Sequence, residues 1–207
     1  MLNKKNFTAI LLVLIILILF SASSCGGNIQ NISTEIEIDG GTGILADNNV
    51  VDFYFYYPEN FTLDKNAAMI SVYIIDQEVA TMDKVDLESN ENYSVLTNPN
   101  LSATVFALPP DGRYQTVEKY WENYAMPFYQ TTFQNIQVDT AEDLTVGDLA
   151  AKKYTYTADL AGMTYKYAGV IFFRDRQVYT LTYTSTPQKF DKYINVLDTA
   201  VETFTFK

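Results

Sequence analysis

The sequence predicts an α+β domain, an antiparallel sheet flanked by helices on both faces, built from residues 34–207. Three observations carry this expectation. Several strand-like segments are apolar on both faces, so they need cover on two sides. The segment 151–185 reads as a meander of strands joined by tight turns, and two amphipathic stretches with helix-start residues are available as cover.

The elements follow in order. Thr34–Ile38 alternates as a first edge strand and is broken by Gly40, Gly41 and Gly43. Val50–Tyr57 (VVDFYFYY) is a strand closed by Pro58-Glu59-Asn60, and Ala68–Ile75 (AMISVYII) is the next. Residues 76–100 are polar and acidic and read as a long excursion. Leu101–Leu108 is a strand stopped by Pro109-Pro110-Asp111-Gly112. Thr116–Tyr129 reads as a helix, capped by Thr116, with Glu118 in its first turn and Val117, Tyr120, Trp121, Tyr124 and Phe128 along one face. Phe133–Val138 is a short strand. The meander then runs Lys152–Ala158, a turn at Gly162, Thr164–Phe173, a turn at Asp175-Arg176, and Gln177–Ser185. A final helix is expected from Pro187 to Val201, with Thr186 as cap and Phe190, Ile194, Leu197 and Val201 as its buried stripe. Thr203–Phe206 follows as an extended segment or helix end.

The first 24 residues have a different character. Lys4 and Lys5 precede an apolar run from Ala9 to Phe20, too short for the roughly 20 residues of a membrane span. It suits the hydrophobic region of a secretory signal. Ala22, Ser23 and Ser24 lead to Cys25, the sole cysteine. This segment resembles the lipobox of bacterial lipoproteins, in which the cysteine receives a diacylglyceryl group; Ala22 stands where Leu is commonest. The expected division is a signal peptide over 1–24, lipidation at Cys25, a tether over 25–33 and the domain thereafter. An ordinary signal peptide beside a free cysteine, or an uncleaved anchor, is the alternative. One thiol permits no intramolecular disulfide.

Removing residues 1–24 takes away Lys4 and Lys5 and no acid, which moves the side-chain charge from −11 to −13. Such a surface repels nucleic acid and anionic headgroups, so membrane attachment is assigned to the lipid. The chain contains no histidine, which removes the commonest general base and transition-metal ligand. Neither a nucleophile elbow nor a phosphate-cradling loop occurs. The expectation is no enzyme, no cofactor and no metal.

Two acidic groups offer oxygen ligands for Ca²⁺: Asp83, Asp86, Glu88 and Glu91, and Asp139, Glu142 and Asp143 before Gly147. Neither has the Asp-x-Asp-x-Asp-Gly spacing of a calcium site, and both read as solvated loops. Among the aromatics, Trp121, Tyr120 and Tyr124 or the meander tyrosines offer a sugar- or protein-binding platform. Trp121 and most strand tyrosines read as core, while Tyr154, Tyr156, Tyr179 and Tyr183 are expected to leave a partly exposed partner surface.

Several segments together carry a family resemblance. They are VDFYFYYPENFTL (51–63), LSATVFALP (101–109), TVEKYWENY (116–124) and the closing block 150–206, which ends in ETFTF. Their order resembles the PsbP family and the PsbP/Mog1-type fold over about residues 50–206. That family includes accessory proteins of photosystem II and many bacterial lipoproteins of unassigned role. The resemblance implies a non-enzymatic binding or accessory domain with a protein or envelope partner. The leader is unlike a transit peptide, and a histidine among the plant proteins' functional positions has no counterpart here. A carbohydrate- or Ca²⁺-binding envelope lipoprotein is the alternative.

Overall fold

Two antiparallel sheets share one core, because the aromatic strands near the N-terminus pack onto one face of a larger meander. The computed structural model describes residues 32–65, 67–74, 98–109 and 112–207. The smaller sheet contains β1 (Glu35–Ile38), β2 (Gly41–Ala46), β3 (Phe53–Pro58) and β11 (Thr205–Phe206), in that spatial order. The larger has seven strands in the order β4 (Thr62–Leu63), β5 (Ile70–Tyr73), β6 (Asn100–Ala107), β10 (Gln177–Ser185), β9 (Met163–Arg174), β8 (Leu149–Leu160) and β7 (Gln134–Val146). The expected first strand thus continues past its glycines as a hairpin, with Gly40 and Gly41 at positive φ in the turn.

Two tight turns set the meander's register. Ala161 and Gly162 (φ 53° and 85°) link β8 to β9, and Asp175 and Arg176 (φ 48° and 63°) link β9 to β10. Positive φ at both central residues matches the twist that antiparallel strands require. The register then follows residue by residue, with Tyr156 opposite Tyr167 and Tyr179 opposite Phe172.

Alternation along β9 sorts the core into two clusters. Ala168, Val170 and Phe172 join Phe53, Phe55, Tyr57, Leu181, Val196 and Leu197 in one. Tyr165, Tyr167 and Ile171 join Tyr120, Trp121, Ala125, Tyr154 and Tyr156 in the other. A strand apolar on both faces is stable only because each face meets such a cluster.

The first helical segment comprises α1 (Val117–Tyr120), a widened π turn (Trp121–Ala125) and α2 (Met126–Thr132). Thr116 caps it as expected, its hydroxyl accepting from the Lys119 amide at 3.3 Å. The π turn differs from the uninterrupted helix anticipated. Pro127 lacks an N–H and would crowd the carbonyl four residues back; directly before it, the Met126 amide bonds Trp121 O in a five-residue step. The C-terminal helix also differs. Pro187–Lys189 form a turn closed by the Lys189 amide on Thr186 O (3.1 Å), followed by α3 (Phe190–Tyr193) and α4 (Asn195–Thr203). Thr186 acts through its backbone carbonyl, one turn before the helix it was expected to cap.

Candidate functional site

The four tyrosines expected at a partner surface are buried: Tyr154 is 4% exposed, Tyr156 2%, Tyr179 1% and Tyr183 0%. They do not form a row. Tyr154 and Tyr156 face the cluster beneath the first helix, whereas Tyr179 and Tyr183 face the opposite one. Parity on neighbouring strands does not reveal this split; the turn-defined register does. Trp121 lies flat on Tyr154, with centroids 3.9 Å apart and planes 5° apart. Tyr156 stacks on Tyr167 (4.9 Å) and on Tyr129 (5.8 Å). The Tyr179 hydroxyl donates to Asp52 Oδ2 at 2.9 Å, and that of Tyr183 to Phe190 O at 3.1 Å. Burial raises all four phenol pKa values, to about 12 for Tyr154 and Tyr183. These residues are core, as are Tyr120 and Trp121, while Tyr124 is half-buried.

Of the two acidic groups, one can be placed, and it is exposed on a strand. Asp83, Asp86, Glu88 and Glu91 lie outside the described residues, as does Cys25. Asp139, Glu142 and Asp143 belong to a strand rather than a loop, because β7 continues to Val146 and turns at Gly147 into β8. Glu142 and Asp143 stand opposite Lys153 and Lys152. Among the described residues, no group of three or more His, Cys, Asp or Glu is placed to hold a metal ion.

One cleft does gather charged side chains. About 350 Å³ in volume, it is lined by Gln115, Thr116, Val117 and Glu118, and across from them by Asp143, Ala150, Ala151, Lys152 and Phe173. The Lys152 ammonium bridges Asp143 Oδ1 (2.9 Å) and Glu118 Oε1 (3.1 Å). These hydrogen bonds, first Asp143 and then Glu118, raise the Lys152 pKa above its ordinary value. Glu118 is lowered by its own backbone amide, then by the Thr116 hydroxyl and Lys152. The amine is held charged, the opposite of what a lysine nucleophile requires. The cleft is therefore a salt-bridged recess. Lys152 has no signal of its own in the sequence; placing the turn at Gly147-Asp148 is what pairs it with Asp143. A second recess of about 280 Å³ is lined by Asp39, Gly40, Thr42, Glu59, Asn60 and Asn195, with Ile38 and Pro58.

Comparison with known proteins defines the class of fold. No family model matches the chain, and no curated sequence does. Among solved structures, cyanobacterial PsbP (CyanoP) from Synechocystis sp. PCC 6803 matches with a TM-score of 0.51 at 13% identity, covering 89% of this chain and 98% of that one. LpqN of Mycobacterium tuberculosis, involved in cell envelope biogenesis, matches with a TM-score of 0.50 at 11% identity, covering 75% and 83%. The Ran-binding protein Mog1p of Saccharomyces cerevisiae is a weaker match, at 0.48 and 6% identity, with 79% and 95% covered. The domain has the PsbP/Mog1 fold. At these identities the likeness concerns the fold alone.

Proposed function

We propose that the chain is an extracytoplasmic lipoprotein, held to the membrane through Cys25, whose PsbP/Mog1-fold domain is a non-catalytic binding or accessory module. The carrying observation is the leader: a basic start, a short apolar run, small residues and the sole cysteine. The polar stretch from Cys25 to Ser33 acts as the tether, and the acidic domain has no attraction of its own for anionic headgroups. Among the described residues, no helix is long and apolar enough to cross a membrane. LpqN, with a similar fold, is involved in cell envelope biogenesis, which agrees with an envelope location.

The reading includes a sheet covered by helices on both faces. It is supported by Trp121 and Ala125 in one apolar cluster and Leu197 and Ala200 in the other. Adjacent lysines on β8 add support, since Lys152 reaches Glu118 and Lys153 reaches Asp198 at 3.8 Å.

The test is metabolic fatty-acid labelling of the wild-type chain and Cys25→Ser. The expected result is label and membrane recovery for the wild type and loss of both for the variant. Label that persists in Cys25→Ser contradicts the anchor.

A further inference from the structure

Sheet edges are normally kept short, bulged or covered, because their unpaired N–H and C=O groups recruit other chains. Among the described residues three of the four edges are short: β1 has four residues, and β4 and β11 have two each. The fourth is β7, with 13 residues and, among the described residues, β8 as its one strand partner. Its register breaks both fall before Thr140, and from Thr140 to Val146 it pairs with Thr155–Leu149 without interruption. That run contains no proline. Alternate backbone groups along it point away from β8, in the plane of the sheet.

The side chains on this edge carry one sign of charge. Asp139, Glu142 and Asp143 are its ionisable residues, with no lysine or arginine from Gln134 to Val146. Lys152 bridges Asp143, and Lys153 lies toward Asp198. Val138, 45% exposed, is one of three exposed large apolar side chains among the described residues.

We propose that the outer edge of β7 is a docking strip for an extended, lysine- or arginine-bearing segment of a partner protein, which adds to the sheet as an eighth strand. This rests on the reading of the domain as a binding module and names its surface. A second copy of the chain does not fit, because β7 against β7 brings carboxylates to face carboxylates. The chain's own residues 76–97 are a poor match for the same reason, with Asp76, Glu78, Asp83, Asp86, Glu88 and Glu91 against Lys84.

The probe is a blocked synthetic peptide of alternating lysine and valine, added to the mature full-length chain in neutral detergent. The readout is amide hydrogen exchange. Controls are the same peptide N-methylated at alternate residues, which keeps the charge and removes strand pairing, and a glutamate–valine peptide. Exchange within 140–146 is expected to slow by about tenfold with the lysine peptide and to stay unchanged with either control. Asp139→Lys with Glu142→Lys is expected to reverse the preference toward the glutamate peptide; both sites are exposed, so the fold is retained. Unchanged exchange in β7 overturns the proposal, as does equal protection by the N-methylated peptide or protection that survives charge reversal. Fatty-acid incorporation at Cys25 is read separately, so the docking strip and the anchor can fail independently.

Discussion

The tyrosines are the residues through which this fold responds to pH. In the unfolded chain their phenols ionise near pH 10. In the fold, burial raises that value to about 12 for Tyr154 and Tyr183, and raises Tyr156 and Tyr179 as well. The folded state holds these protons more tightly than the unfolded chain does. Their contribution to stability is therefore complete below about pH 10 and is lost as pH rises through the folded values. Tyrosinate absorbance should show Tyr154, Tyr156, Tyr179 and Tyr183 ionising together with unfolding; a smooth titration of these four with the fold intact contradicts their burial. Phe190 offers a second test at this scale. It is 5% exposed, 5.2 Å from the Tyr183 ring, and accepts the Tyr183 hydroxyl on its carbonyl. Phe190→Ala is expected to cost about 3–5 kcal/mol, measured by urea denaturation. Trp121 is the sole tryptophan and lies flat on Tyr154, so its fluorescence reports on core packing in such experiments.

At the scale of elements, termini and turns control which side chains meet. Thr116→Ala removes the hydroxyl that caps the Lys119 amide and is expected to cost about 1 kcal/mol in the same denaturation assay. A loss near zero contradicts a working cap. Elements with strong local signals were legible in the sequence. Gln177–Ser185 has its anticipated limits, and the Asp175-Arg176 turn and the Thr116 cap stand where the residue types placed them. The misses have physical causes. Along β7 the alternation of Ile136, Val138, Leu144 and Val146 is interrupted by the exposed Asp139–Asp143, so its acids read as a loop. Pro127 lies inside the helix that the apolar stripe of 116–129 predicts, and the π turn before it has no counterpart in that periodicity. The tyrosines illustrate the limit most clearly: alternation sets Tyr154, Tyr156, Tyr179 and Tyr183 apart as a partly exposed row, and only pairing across β8, β9 and β10 places them in the core. Lys152 gains its role from Asp143 across one hairpin and Glu118 from a separate helix.

At the scale of the whole molecule, the aromatic residues are spent on two cores. The described surface is left acidic, with a salt-bridged recess and one long open strand. Under the proposed reading this surface meets another protein and the Cys25 leader holds it at the envelope. The most direct measurement of this central claim is intact mass spectrometry of the protein purified from its native membrane. The expected species begins at Cys25 and carries the mass of a diacylglyceryl thioether. A cytoplasmic species that retains residues 1–24, with an unmodified thiol at Cys25, contradicts it.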